Sequence, residues 1–433
     1  MDDTIKFHNK DRFKELGTIG LKETGGFVYE DPIKLLQGQR GLKIFKEMSE
    51  NDDTVGACLL AIEMLMRQVP WNVQEASQDN NDMINAEFIK SCMEDMDHTW
   101  DDFISEVLSM LTYGFSWHEQ VFKKRLGDSR NPIFKSEYND GRIGWRRLPI
   151  RAQETLFSWE FNDQGDLLGF NQFDEYAGRN VTIPLEKSLH FVTRRRKNNP
   201  EGRVILRNAY RSWYFKKNIQ NIEGIGIERD LAGLPVGYMP PEFMAENATP
   251  DQKATFKMMQ KLITSIKRDE QEGVIMPLAY DDNGHKLFDL QLLNSGGSRQ
   301  FDTSAIIRRY DESISMSILA DFILLGHKNV GSYALAETKS DMFTMAIGAW
   351  ADSICDVVNR FGIPKLMKLN NLKYDKMPKL TRGTIRSVSL KDLGEYISKL
   401  SGAGANLFPD ERLENYLRKQ ADLPMSDTAS EGI

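Results

Sequence analysis

Cysteine is scarce in this chain, with three in 433 residues, at positions 58, 92 and 355. The count is odd, the spacings are long and no C-x-x-C occurs, so neither a disulfide framework nor a zinc knuckle is indicated. Each thiol falls inside an apolar helical pattern and reads as buried in a reducing compartment. Six histidines are scattered, and His118 has no second histidine at metal-ligand spacing, so no zinc set is visible. No G-x-x-x-x-G-K-[ST] is present, and the glycines at 17, 20, 25 and 26 lack the flanking strand and helix of a phosphate loop. A G-x-S-x-G elbow is also missing. The acidic pairs Asp101-Asp102 and Asp281-Asp282 read as a helix first turn and a turn tip. Carboxylates that meet only in space are invisible to sequence, but nothing calls for such a pair. No apolar run approaches the roughly 20 residues of a membrane span, and the first residues lack a signal peptide's basic and apolar regions. The expectation is a soluble, intracellular chain without metal or cofactor.

What is present is an ordinary globular composition, 40% hydrophobic and 27% charged, with a formal net charge of −7. That length permits two or three domains with real cores. Tight duplex binding usually shows a basic balance, because phosphate contacts dominate the affinity; stable sequence-specific DNA binding is therefore not expected.

Residues 1–50 are polar and punctuated by glycine, and read as an extended arm. Asp52-Asp53-Thr54 supplies N-cap chemistry for a helix whose Val55, Cys58, Leu59, Ile62, Leu65 and Met66 share one face, and Pro70-Trp71 stops it. A second helix over 82–95 turns Ile84, Phe88, Ile89 and Cys92 inward. A third runs over 99–113, with Gly114 as its C′ residue. From 115 to 196 the period becomes two: Phe157, Trp159 and Phe161 alternate with polar neighbours, and turns at 139–141 and 162–165 predict antiparallel strands. The class is α+β, a helical layer on an antiparallel sheet. Beyond it lie an amphipathic helix over 251–268 and a hairpin with strands 274–280 and 286–293. Long helices cover 302–325 and 332–361, the second closed or kinked at Gly362-Ile-Pro364. A strand at 383–390 and helices near 391–400 and 410–420 complete the chain.

The most informative stretch is 208–238. It opens as an aromatic, basic helix carrying Trp213, Tyr214, Phe215, Lys216 and Lys217, and closes on Gly233-Leu-Pro-Val-Gly237. Pro235 has no N–H and biases Leu234 away from the α region. Trp213, Tyr214 and Phe215 read as packing residues rather than a base-stacking platform, and sharing one helix with Lys216 and Lys217 they have the look of a partly buried interface helix. Arg194, Arg195, Arg196 and Lys197 form the strongest basic cluster. Such a run is either a solvated loop or an anchor for phosphate or an acidic neighbouring subunit, with Arg as the fork donor.

The order of these features resembles the portal proteins of tailed bacteriophages, most like their Mu-type branch. Val69-Pro-Trp-Asn72 is similar to the family's early helix stop, Leu111-Thr-Tyr-Gly-Phe-Ser-Trp-His-Glu119 to its step from helix to sheet, and 208–238 to its exit from stem into clip. The resemblance implies a portal fold with this organisation: an N-terminal arm (1–50), a wing (51–202), a first stem helix (203–233), a small α/β clip (234–297), a second stem helix (298–325), a tunnel loop (326–339), a long wing helix and strand (340–390), and a short helical crown and tail (391–433).

The resemblance further implies a ring of identical subunits, usually twelve, at one capsid vertex, through which double-stranded DNA is packaged and ejected without sequence specificity. Its partners would be the terminase large subunit, neck or adaptor proteins, and major capsid and scaffold proteins. Its location would be the virion, with the host cytoplasm during assembly. No catalysis of its own is implied. Lys328, Asn329, Ser332, Tyr333 and Lys339 become the DNA-channel candidates. Tyr238, Phe256, Met259, Asp281, Asp282 and Asn283 become the terminase-docking candidates, and Arg194, Arg195, Arg196, Trp213, Lys216 and Lys217 the subunit-interface candidates. The alternatives are another virion adaptor or minor head protein, or a polymer-acting hydrolase with aromatic platforms at Trp145, Trp159 and Trp213.

Overall fold

The computed structural model describes residues 17–174, 178–232, 234–265, 280, 284, 286–293, 302–318, 333–383, 390–402 and 411–420. The chain divides into two compact units, one of residues 1–208 with 315–433 and the other of 209–314.

The first unit opens on a small hairpin, β1 (Glu23–Thr24) and β2 (Phe27–Val28). Helix α1 (Gly38–Asn51) follows, where glycine punctuation had predicted an extended arm. The physical reason is that Gly41 is a packing glycine: a Cβ there would lie 2.3 Å from the Leu36 carbonyl oxygen. Leu42, Phe45 and Met48 form the buried stripe beside it. Helix α2 (Asp53–Arg67) is capped as its sequence predicts, the Asp52 carboxylate accepting from the Thr54 and Val55 amides at 3.1 and 3.0 Å. Strand β3 (Trp71–Gln74) leads to α3 (Asn80–Glu94). The expected single helix over 99–113 is two, α4 (Trp100–Val107) and α5 (Ser109–Tyr113). The first is closed by a Thr99–Asp102 capping box. Gly114 ends the second at φ 90°, in the left-handed region.

The strands are β4 (Phe115–Glu119), β5 (Val121–Lys124), β6 (Ile143–Arg147), β7 (Ile150–Arg151), β8 (Leu156–Phe161), β9 (Leu167–Asp174), β10 (Arg179–Pro184) and β11 (Ser188–Val192). They pair antiparallel as β11-β4-β7, β10-β9-β8 and β5-β6. A core of Phe115, Trp117, Val192, Trp159, Phe170 and Ile183 joins the two three-stranded sheets. The register slips between Leu156 and Ser158. This bulge overturns the simple alternation read for β8: Trp159 is buried, whereas Phe157 is 52% exposed. On α3, Ile84 was expected inward but is 45% exposed; Phe88, Ile89 and Cys92 are buried.

The second unit holds α6 (Tyr210–Ala232), β12 (Leu234–Tyr238), α7 (Pro250–Ser265), β13 (Asp289–Leu293) and the greater part of α8 (Thr303–Ser317). Strand β13 pairs antiparallel with β12; the hairpin expected between 274–280 and 286–293 is represented among the described residues by one bridge, Tyr280 to Lys286. Helices α6 and α8 run antiparallel, joined by the Lys216–Asp311 ion pair at 2.7 Å, the Phe215–Tyr310 stack and a Thr303–Glu223 hydrogen bond.

Back in the first unit, α9 (Tyr333–Val357) does not close at Gly362-Ile-Pro364. It continues through a π-helical turn, Val358–Gly362, into α10 (Ile363–Leu369). The wider turn absorbs a proline that has no amide to donate. Strand β14 (Lys379–Arg382) pairs with β3, and α11 (Leu390–Gly402) and α12 (Glu411–Gln420) follow.

Candidate functional site

The basic run at 194–197 stands on a tight loop after β11. Two close backbone contacts set that loop. Gly114 and Gly202 face each other, both with positive φ; a Cβ on Gly202 would lie 2.4 Å from the Gly114 carbonyl oxygen, and one on Gly114 would lie 2.2 Å from the Glu201 carbonyl oxygen. Only glycine fits either position. The Thr193 amide donates to the Gly114 carbonyl at 3.0 Å, so the loop is bound to the α5–β4 junction. Lys197 and Asn198 both adopt positive φ, 51° and 55°, turning the chain sharply after the arginines. The Asn199 side-chain oxygen then accepts from the Glu201 amide at 2.9 Å.

This loop forms one wall of a cleft of about 520 Å³ in the first unit. The β1–β2 turn, the start of α1 and the edge of β8 complete it. Its lining mixes apolar side chains, Phe27, Leu42, Phe45, Phe115 and Leu156, with polar ones such as Gln39, Ser158 and Asn199, and includes the cations Arg194, Arg196 and Arg203. Two further cations are neutralised: Lys197 pairs with Glu30 at 3.1 Å, and the Arg207 guanidinium with the Asp31 carboxylate. Among the described residues Arg194 and Arg196 have no ion pair, and Arg203 donates to the Asn208 side chain at 2.9 Å. Burial pushes the Glu201 carboxyl up to about 7, against the opposing hydrogen bond from the Trp159 indole at 3.3 Å. Near neutrality the cleft thus carries net positive charge in a chain whose balance is −7. Arg195 points to a different neighbourhood: burial and the adjacent Arg360 cation lower its pKa.

His118 and His190 are packing residues. His190 is buried between Trp117 and Trp159, at ring distances of 4.9 and 5.7 Å, with Nε2 2.9 Å from the Pro200 carbonyl. Burial drives its pKa to about 3. His118 is likewise enclosed, packed on Phe103 and Phe191, and driven to about 4. Among the described residues no group of three His, Cys, Asp or Glu side chains could hold a metal, and no helix is long and apolar enough to cross a membrane.

The other predicted site residues divide. Lys216 is 1% exposed and locked onto Asp311, so it is an internal strut and not an interface cation. Trp213 is also buried, with Tyr210 at 6.1 Å and the Lys217 ammonium 5.2 Å above its ring. Met259 is buried beneath β12, where Gly237 leaves room for it and for Ile263, so it belongs to the core of its own unit. Phe256 is half-buried and Tyr238 is 49% exposed. Tyr333 and Lys339 fall within α9, as the helix expected over 332–361 has them, although the resemblance assigned them to the tunnel loop. Lys328, Asn329, Ser332, Asp281, Asp282 and Asn283 lie outside the described residues. The platforms required by a polymer hydrolase fail on burial: Trp145, Trp159 and Trp213 are 0%, 3% and 5% exposed.

What sequence reasoning missed is an apolar stripe on α6. Tyr214, Phe215, Ile222 and Ile225 are 47%, 41%, 68% and 49% exposed, and at helical spacing they fall within about 100° of arc. The signal was legible as isoleucines at 222 and 225 beside two glycines.

A long helix that leaves an apolar stripe open to solvent is the surface of a subunit that packs against a partner. Residues 42–422 match the family described as the portal protein of Mu bacteriophage. The chain belongs to that family, whose members are structural components of the phage virion at the connection of head and tail. A chain from the neck of an empty gene transfer agent particle, reconstructed with C6 symmetry, shares its fold. That pair has a TM-score of 0.50 and 10% identity over 94% of this chain and 98% of that one. A chain from the virion of a native gene transfer agent particle is similar at TM-score 0.48 and 11% identity, over 94% and 97% of the two chains. One from a native neck with C12 symmetry stands at 0.47 and 10%, over 89% and 94%.

Proposed function

We propose that this chain closes into a ring, of twelve copies in the virion, that forms the channel through which double-stranded DNA enters and leaves the capsid. The observation that carries this reading is the stripe on α6. Burying such side chains is worth about 1.5–3 kcal/mol each when complete, and a contiguous apolar face on a soluble subunit marks an interaction surface. A closed ring supplies the cover, since every subunit then meets its neighbour through two different faces. Residues 234–297 act as the clip, which docks the terminase large subunit during packaging and neck or adaptor proteins afterwards, through exposed side chains such as Tyr238. Arg194, Arg195 and Arg196 contribute to the subunit interface. Residues 326–339 face the DNA, where Lys328, repeated once per subunit, becomes a ring of charge that makes weak, sequence-independent phosphate contacts.

Mass photometry and negative-stain imaging of the purified chain test the reading. A closed ring with a central channel is the expected result; monomer or dimer alone across salt and concentration would refute it. Ile222→Ser with Ile225→Ser should shift the population towards smaller species while leaving the far-ultraviolet circular dichroism unchanged.

A further inference from the structure

Among the described residues nothing fills the cleft at the arginine loop, and the start of α3 offers a plug of matching chemistry. Met83 and Ile84 are 46% and 45% exposed side by side. Around them stand Asp79 and Glu87, both exposed. Asp79 occupies the N-cap position without a side-chain capping bond, and Asp82 is held by the Ser77 hydroxyl at 2.6 Å. An apolar pair ringed by carboxylates therefore faces solvent on one part of the subunit. On another, a cleft partly lined by apolar side chains also carries Arg194, Arg196 and Arg203, and Phe27 and Phe157 in its lining meet edge-to-face at 6.3 Å. Both aromatics are exposed, at 43% and 52%.

We propose that the cleft receives the Met83–Ile84 corner of α3 from a second copy of this chain, with Arg194 and Arg196 paired to Asp79 and Glu87 around it. This assignment rests on the ring reading and names one of the heterologous contacts that closure requires. Charge sorts the candidates. Another exposed apolar pair, Leu60 and Met64 on α2, has Glu63 and Arg67 beside it, which together offer no net negative charge to answer the arginines. A bare phosphate is a poorer occupant, because it would pair with the arginines but leave the apolar part of the lining, with the exposed Phe27 and Phe157, uncovered. Charge-assisted arginine–carboxylate pairs at the rim, with apolar side chains at the centre, reproduce the usual anatomy of a protein interface.

Disulfide trapping tests the contact. The three native cysteines are all buried, so exposed cysteines introduced by Ile84→Cys and Phe157→Cys report with little background. Mild oxidation of the double variant should give a covalent ladder extending beyond dimer on a non-reducing gel, and neither single variant should do so. Arg194→Glu with Arg196→Glu should cut the yield at least tenfold, and adding Asp79→Arg with Glu87→Arg should restore it. A purely structural role for the arginines would give no such rescue. Rings that form normally without a ladder overturn this contact and leave the ring reading standing; absence of rings overturns both. Cross-links confined to the monomer or to a closed dimer also overturn it, because the contact must run head to tail.

Discussion

Replacing Glu201 by Gln should remove a pH dependence that the buried carboxyl imposes on the fold. The folded carboxyl titrates at about 7 and the ordinary value is 4.5, so between those values the native state holds a proton that the unfolded chain has released. Stability from this group is therefore fully present below the unfolded value and is lost as pH rises, the reverse of a salt-bridged carboxylate. The difference corresponds to roughly 3 kcal/mol in all, and about 2–3 kcal/mol of it falls between pH 5 and pH 8. Gln keeps an oxygen to accept from the Trp159 indole and carries no charge to desolvate. The assay is urea unfolding of both proteins across pH 5–8, followed by tryptophan fluorescence, with Trp159 bonded to the group in question. Taking the difference between the two proteins cancels every other titrating group. The variant should gain on the parent steadily as pH rises. Parallel profiles over that range would refute the reasoning, because they would mean that water or a rim arginine already solvates the carboxylate.

The buried histidines act at the other end of the scale: folding depresses His118 from 6.5 to about 4 and His190 from 6.5 to about 3, so stability should fall as pH drops below about 6.5, by several kcal/mol in total, measurable as an acid-induced loss of near-ultraviolet circular dichroism. Gly202→Ala should destabilise by more than about 2 kcal/mol, through positive φ and collision with the Gly114 carbonyl, read as a fall in melting temperature. Lys216→Met should cost less than the 3–5 kcal/mol of a fully buried broken pair, about 1–3 kcal/mol, because its partner Asp311 keeps some solvent; differential scanning calorimetry would show it. On the proposed channel role, Lys328→Ala should alter DNA retention in assembled particles with rings intact, an effect that shrinks as salt rises because salt screens a lysine–phosphate contact.

Features dictated by short-range chemistry were legible in the sequence. The Asp52 cap, the left-handed Gly114 and the buried face of Val55, Cys58, Ile62 and Met66 all follow from local spacing. Helix α1 was hidden because Gly38 and Gly41 look like punctuation until the Leu36 carbonyl is seen pressing on Gly41. Phe157 was misassigned because a one-residue bulge reverses a strand's faces and leaves no mark in composition. The arginine cluster was visible as a run, but the cleft it borders was not: its walls come from residues near 26–45, 113–115, 156–159 and 194–208, and only folding brings them together. Lys216 shows the converse error, a lysine in an aromatic helix that reads as surface until Asp311 arrives from almost a hundred residues away.

The antiparallel pairing of α6 with α8 makes the second unit a detour with a common doorway. Residue 215 stacks on residue 310, so the chain returns beside the point where it departed. Closing such a loop costs only slightly more as the excursion lengthens, since the entropy grows with the logarithm of its length. The module beyond the doorway is therefore free to be enlarged, trimmed or exchanged for one that fits a different partner, while the body that hosts it keeps the same two anchor points and the same core.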